Sequence, residues 1–252
     1  MDKSYKRFVA YFDVLGYGKR VENIFIDEEY KIQNKVLEDL EVITKNSNIN
    51  VINFSDTFIL YSHEPGISDT LFEGIIKSSL LLMLLLSIRK SPYLPVRGAM
   101  AFGDFLFDKE KNIIIGDALR EACSLEKQQE WMGCCLSDSC YEAAKKGADK
   151  SFNWFKDNKV LVNYDVPFKT NRFLFFGKQT RKMYVVNIES FSRLWGQETK
   201  NMPITQERFI ENIFINKGIN KKESLFLNKD AIIKLRNTQD FFKYVEKVKP
   251  RA

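Results

Sequence analysis

Arg7-Phe8-Val9-Ala10-Tyr11-Phe12-Asp13-Val14-Leu15-Gly16 has the composition of a buried strand, closed by a glycine and carrying one acid. A second stretch, Asn50-Val51-Ile52-Asn53-Phe54-Ser55-Asp56-Thr57-Phe58-Ile59-Leu60-Tyr61, reads as two β-rich runs parted by Ser-Asp. That break predicts a tight hairpin with the acid at its tip. Pairing of the first strand beside the hairpin would bring Asp13 and Asp56 to one edge of one sheet. Two carboxylates held close without protonation require a cation, and oxygen ligands of this type suit magnesium or manganese. Such ions keep waters and take further ligands from substrate phosphates. Either Asp alone also suits a turn residue bonded to nearby backbone; the pair is what points to a site.

The chain has 252 residues, 44% of them hydrophobic, enough for one sizeable core or one domain with an extension. Its net charge of +6 is modest, and the two signs are interspersed. A polyanionic partner is therefore permitted without being demanded, and a nucleoside triphosphate satisfies it as well as DNA. Cys123, Cys134, Cys135 and Cys140 have no zinc-type spacing, and no signal peptide precedes them, so they read as reduced, mostly buried thiols of a cytoplasmic protein. His63 is the single histidine, set in the loop Ser62-His63-Glu64-Pro65-Gly66. Chemistry built on a histidine base or several histidine ligands is thereby disfavoured.

Residues 17–45 carry Val21, Ile24, Ile32, Val36, Leu40 and Ile43 at helical spacing, one helix or two lying on the sheet. Ser68-Asp69 would cap a helix running to about Lys90. Its apolar run, Leu80 to Leu86, falls far short of the roughly 18–20 residues that span a bilayer. Being apolar all round, it reads as a central core helix or as one with surplus area for a partner subunit. Pro92 and Pro95 end it. A strand from Val96 to Phe107 then pairs with Asn112–Ile115 across Asp108-Lys109-Glu110-Lys111. Gly116-Asp117 starts a helix that turns Ala118, Leu119, Ala122 and Leu125 to the core and puts Arg120 and Ser124 together on another face. A short strand (131–136), a helix (139–146) and a strand-rich stretch (159–187) follow. Strands alternating with helices argue for an α+β sheet with helices on one face. The remainder is helical: 189–195, 204–216, and 230–248 with Asn228 as cap. We therefore expect one domain over residues 1–190 and a helical extension over 191–252, packed on it.

The residues around the two acids resemble the class III nucleotide cyclases. Phe12-Asp13-Val14-Leu15-Gly16-Tyr17 is similar to the family's Phe-Asp-x-x-Gly-Phe, and Ser55-Asp56 to its hairpin Gly-Asp. Pro95-Val96-Arg97-Gly98-Ala99-Met100-Ala101-Phe102-Gly103 resembles its Arg-x-Gly-x-x-x-Gly strand. Gly116-Asp117-Ala118-Leu119-Arg120-Glu121-Ala122-Cys123-Ser124-Leu125-Glu126 resembles its Gly-Asp-x-x-Asn-x-Ala-x-Arg-x-Glu helix start. The four motifs stand in the family's order. The resemblance implies a ferredoxin-like βαββαβ core, and a head-to-tail homodimer with sites at the subunit interface. It also implies two Mn²⁺ or Mg²⁺ ions held by Asp13, Asp56 and the backbone carbonyl of Val14. Backbone N–H groups of Leu15-Gly16-Tyr17 would meet the β- and γ-phosphates.

The family's transition-state Asn and Arg fall on Arg120 and Ser124. A cation therefore persists on the same helix face, one turn away, and Arg120 is the catalytic candidate beside Asp13 and Asp56. At the purine-reading positions stand Ile52 and Ile113, where adenylate cyclases carry Lys and Asp. Neither isoleucine can hydrogen-bond a purine edge. Those departures resemble the pyrimidine cyclases of bacterial Pycsar anti-phage systems, which make cyclic UMP or cyclic CMP, and the compact chain and the ending Tyr184-Val185-Val186-Asn187 are also similar. The implied activity is conversion of UTP or CTP to its 3′,5′-cyclic monophosphate, with UTP favoured. Asn53, Arg97 and Lys178 are further candidates for base or triphosphate contacts, with a brace on its own strand as the other reading of Arg97. Two rival readings stand beside this one. A noncatalytic nucleotide or metal sensor on the same fold is favoured by Ser124. A nucleic-acid-binding regulator would use the Lys-rich C-terminal helices, although no nucleic-acid or membrane partner is expected.

Overall fold

Along Arg7–Val14, every second side chain enters a different buried environment. Phe8, Ala10, Phe12 and Val14 belong to a large hydrophobic core, and Val9 to a smaller one on the other side. A strand buried on both faces belongs inside a sheet. In the computed structural model, which describes residues 5–18, 25–45, 47–88, 95–169, 179–190 and 229–248, this strand lies inside one. Strand β1 (Lys6–Val14) pairs antiparallel with β3 (Thr57–Ser62) on one side and β4 (Val96–Asp104) on the other. β2 (Ile49–Phe54) closes a hairpin with β3 in which Phe54 opposes Thr57 across the two-residue turn Ser55-Asp56. Ser55 takes the left-handed conformation there, φ 57°.

Helix α1 (Ile26–Thr44) links β1 to β2, and α2 (Asp69–Ile88) links β3 to β4. The order β2-β3-β1-β4 with these two crossovers is the expected βαββαβ core. Three more strands extend it: β7 (Cys134–Leu136), parallel to β4, then β9 (Gln179–Val186) and β8 (Leu161–Phe168), giving seven in the order β2-β3-β1-β4-β7-β9-β8. α2 starts where Ser68 accepts the Leu71 N–H on its hydroxyl at 3.2 Å. It is buried nearly all round, from Leu71 and Phe72 to Leu86, as a central core helix.

One strand expectation needs correction. The stretch 96–107 is not one strand: it breaks at Phe105, which buries its ring in the smaller core, 4.8 Å from Tyr61, and gives its N–H to the Tyr5 carbonyl. Beyond the break, β5 (Leu106–Asp108) and β6 (Ile113–Ile115) form a separate two-stranded hairpin. Helix α3 (Asp117–Gln128) follows, then α4 (Asp138–Gly147) and α5 (Asp149–Asp157), the last of these not foreseen. The helices gather on the large-core face, with α3 set against the other: its Ala118 and Ala122 pack on Val9, Ile59 and Ala101.

One close approach fixes β1 against β4. A Cβ at Gly98 would lie 2.3 Å from Phe12 Cδ1 and 2.9 Å from the Tyr11 carbonyl oxygen, so only glycine fits there. Helix α6 (Lys229–Val248) docks through Leu235, Phe241, Phe242 and Val245, with Phe241 edge-on to Trp131 at 4.9 Å. Its Asn237 donates to the Glu130 carbonyl at 2.6 Å, and Thr238 accepts the Met132 N–H at 2.9 Å. Residues 204–216, Asn228 and most of 189–195 lie outside the described residues. All four cysteines are free, three buried and Cys123 half-buried. No helix among the described residues is long and apolar enough to cross a membrane.

Candidate active site

The hydrogen-bonded registers bring Asp13 and Asp56 to one end of the sheet. Asp13 lies opposite Thr57, the residue after Asp56, and the Val14 N–H donates to the Asp56 carbonyl at 2.9 Å. Across β1 and its neighbours, Phe54, Thr57, Asp13 and Arg97 form a row of cross-strand partners on the face that carries α3. Tyr11 and Ile52, with Ile59 between them, occupy the next row. The Tyr11 hydroxyl meets Thr57 Oγ1 at 3.3 Å. Ile52 therefore shares the Asp13 face, half-buried against the smaller core.

Asp13 is half-buried, and its carboxyl is pushed up to about 6. Burial is the largest cause; the carboxylates of Glu126 and Asp56 add to it, while Arg97 and Lys234 oppose it. An acid held against its own charge in this way is stabilised by a cation, so the donor set fits a divalent metal. Asp13 and Asp56 with the Val14 carbonyl would hold it. No group of three or more His, Cys, Asp or Glu side chains suited to a metal occurs among the described residues.

Of the two readings of Arg97, the structure matches the brace. It is 5% exposed, and its Nε and Nη2 both lie 2.5 Å from Glu126 Oε1, while Nη1 donates to the Gln129 carbonyl at 2.9 Å. The Gln129 side-chain amide donates in turn to the Gly98 carbonyl at 2.9 Å and accepts from Trp131 Nε1 at 2.7 Å. A guanidinium so committed braces α3 to β4 beside Asp13, and its charge is shared between two acids. Asn53 differs. It pairs with Phe58, which places it on the sheet face away from Asp13, and its amide donates to the Thr57 carbonyl at 3.2 Å as a hairpin brace. The Leu15 N–H is already given to the Pro95 carbonyl at 2.8 Å, so backbone contacts to phosphate narrow to Gly16, at φ 78°, and Tyr17.

Arg120 is exposed on α3 and reaches Asp117 at 3.2 Å; Ser124, one turn on, is exposed on the same flank. Ile113 opens β6 and is 45% exposed. Lys178 lies outside the described residues. Sequence reasoning missed Glu126 and Lys234 as electrostatic neighbours of Asp13. Glu126 was visible as the last residue of the helix motif, whereas Lys234 belongs to α6, beyond every motif.

No known family model matches the chain, and no curated protein matches it. Solved structures do. The chain is similar to the catalytic core of a rhodopsin-guanylyl cyclase with converted specificity, in complex with ATPαS, at 14% identity and TM-score 0.54, covering 73% of this chain and 96% of that one. It is similar also to the guanylate cyclase domain of RhGC from Catenaria anguillulae in complex with GTP, at 15% identity and TM-score 0.52, covering 73% and 98%. For the adenylyl cyclase CyaB from P. aeruginosa the values are 14%, 0.50, 72% and 93%. At these identities the likeness concerns the fold, which is that of the class III nucleotide cyclase domains.

Proposed function

We propose that the chain is a nucleotide cyclase acting on a pyrimidine triphosphate, UTP in preference to CTP. One observation carries this reading: a fold of the cyclase-domain type places Asp13 beside Asp56 in a setting that favours a bound cation. Two divalent ions bound there would lower the pKa of the ribose 3′-hydroxyl and neutralise phosphate charge. The hydroxyl gives up its proton to solvent water, and its oxygen bonds to the α-phosphorus. The bond from that phosphorus to the oxygen bridging to the β-phosphate breaks, and diphosphate leaves. The chain's part is to hold the acids at the hairpin and the strand end, to offer the Gly16 and Tyr17 amides to phosphate, and to present Arg120 to charge developing in the transition state.

Arg120 points outward from α3, away from the strands that carry the acids. The reading therefore takes the active form to be a homodimer, Arg120 of one copy serving the acids of the other. Apolar side chains at Phe54 (74% exposed), Ile113 and Ile115 suit burial in such a contact. The pyrimidine preference is supported by apolar residues at Ile52 and Ile113. An anti-phage role, like the division into a catalytic domain over 1–190 and an extension over 191–252, rests on the resemblance of the sequence alone. One alternative has a specific observation behind it. The pairing of Arg120 with Asp117, together with a serine at 124, favours a sensor that binds nucleotide without turnover.

Incubation with ATP, GTP, CTP or UTP in Mn²⁺, with products resolved by mass and Asp56→Ala run alongside, tests the proposal. A cyclic pyrimidine monophosphate that disappears in the variant is the expected result. Absence of every cyclic product from a folded chain that binds Mn²⁺ and triphosphate would leave the sensor.

A further inference from the structure

Helix α6 follows every strand of the sheet, yet it is fastened beside the acids. Thr238 Oγ1 accepts the Met132 N–H at 2.9 Å and donates to the Lys234 carbonyl at 2.8 Å. Asn237 donates to the Glu130 carbonyl at 2.6 Å. These two polar side chains are almost wholly buried, Thr238 at 1% and Asn237 at 2% exposure. Directly after Met132, the Gly133 carbonyl accepts the Gly98 N–H at 2.8 Å, and Gly98 stands opposite Phe12 on β1. The segment that carries α6 is thus two strand spacings, about 10 Å, from the end of β1 that holds Asp13.

Lys234 lies one turn before Thr238 on the same side of the helix, next to the buried Leu235, and is itself half-buried. A flexible four-carbon stem lets its ammonium reach past the apolar seam. Its charge acts on Asp13, where together with Arg97 it opposes the upward push of burial. The two cations are not equivalent. Arg97 is 5% exposed, and Glu126 and the Gln129 carbonyl hold all three of its nitrogens, so its donors belong to the frame. An ammonium near two metal-binding carboxylates repels the metal. A ligand that brings negative charge of its own reverses that sign. Ions held by Asp13 and Asp56 would neutralise the phosphate oxygens they touch, and the remaining oxygens of a polyphosphate chain call for a further cation. A lysine serves there as a point charge.

We propose that Lys234 is a phosphate-binding residue of its own chain's site, holding the polyphosphate of a metal-bound nucleotide from the side of α6. This role rests on the reading of Asp13 and Asp56 as a metal and triphosphate site; turnover and the identity of the base do not enter it. The last helix of the chain then forms one wall of the site, and the contact is made within one copy.

Two calorimetric titrations of the full chain at low ionic strength separate this role from that of a mere counter-ion for Asp13: Mn²⁺ alone, then inorganic tripolyphosphate into Mn²⁺-saturated protein. Lys234→Met keeps an unbranched stem and removes the charge. Mn²⁺ alone is expected to bind about fourfold more tightly, the effect of removing one charge about 10 Å from a divalent ion in water-like surroundings. Tripolyphosphate is expected to bind about tenfold more weakly, the loss of one charge-assisted contact. Lys234→Arg restores most of that affinity, and Lys243→Met, at an exposed position of the same helix, moves neither ligand. Unchanged or tighter tripolyphosphate binding in Lys234→Met makes the lysine a counter-ion alone and overturns the proposal. An equal loss in Lys243→Met overturns it as well, and so does a weakening of both ligands in Lys234→Met, the mark of a purely structural role. If the opposed shifts occur in a chain that forms no cyclic product from any nucleotide, the phosphate contact stands and the cyclase reading falls.

Discussion

A Glu126→Gln substitution keeps the shape of a side chain that is 1% exposed and removes only its charge. Arg97 then retains the Gln129 carbonyl at 2.9 Å but loses the carboxylate that its Nε and Nη2 hold at 2.5 Å. Breaking a buried pair by removing one partner costs about 3–5 kcal/mol, because the remaining charge is left without compensation. Asp13 stands opposite Arg97 in the β1–β4 register and supplies part of what is lost. The expected cost is therefore at the lower end, about 3 kcal/mol, a large part of the 5–15 kcal/mol by which domains are typically stable. Urea denaturation near neutral pH reads it as a lower midpoint with an unchanged slope. Replacing both partners, Arg97→Met with Glu126→Leu, removes the orphaned charge and returns stability to within about 1 kcal/mol of wild type. With Arg97→Met and Glu126→Leu each costing about 3 kcal/mol alone, the cycle of these single and double variants gives a coupling of about 5 kcal/mol. A Glu126→Gln chain within about 0.5 kcal/mol of wild type, or a double variant no more stable than the single, would refute the reasoning.

Because the Asp13 carboxyl is held up to about 6, protons compete with metal below that pH. Mn²⁺ affinity is expected to rise about tenfold per unit of pH up to roughly 6 and then level off, and calorimetry at several pH values that finds no such bend would contradict it. In metal-free protein the sign reverses for stability. The folded chain binds the Asp13 proton more tightly than the unfolded chain, so this group's contribution is favourable below about 4 and is lost as pH rises through about 6, a slope that Asp13→Asn should abolish in thermal melts. For α6, Thr238→Val leaves the Met132 N–H without its acceptor in a buried setting and should cost about 1–3 kcal/mol. Faster amide hydrogen exchange at 130–132 is the signature, and unchanged exchange there would show that α6 does not hold that segment.

The hairpin that presents Asp56 could be read from sequence because two strand-forming runs are interrupted by a Ser-Asp pair, a local signal. The Ser68 cap of α2 was equally local. For Arg97 the sequence left ligand contact and brace both open: its partner lies 29 residues on, and a strand arginine looks the same whether it meets a ligand or a buried glutamate. The break at Phe105 escaped for a similar reason, since the run from Val96 to Phe107 is continuously strand-like and only the packing against Tyr61 ends it. Helix α5 follows α4 with one residue between them and buries only Phe152 and Phe155, too few apolar positions to set a period. Asn53 was placed by its type rather than its parity. The alternation of β2 puts Ile52 on the Asp13 face and Asn53 on the other. Lys234 lies in an element that no motif marks, and only the tertiary fold brings its charge near Asp13.

The close passage of Phe12 over Gly98 bears on how a mutational scan of this chain would look. Asp13 keeps its place because the neighbouring Phe12 is locked on the opposite face, against a position where no side chain fits. Any residue but glycine at 98 forces β1 and β4 apart at the strand end that carries Asp13. A small residue at 12 leaves the strand free to settle differently. Scored on activity alone, both positions would fall into the same class of loss as Asp13 and Asp56, although neither carries a reactive group. Scored on soluble yield, the two pairs should separate. Substituting an acid leaves yield intact, and substituting Phe12 or Gly98 lowers it.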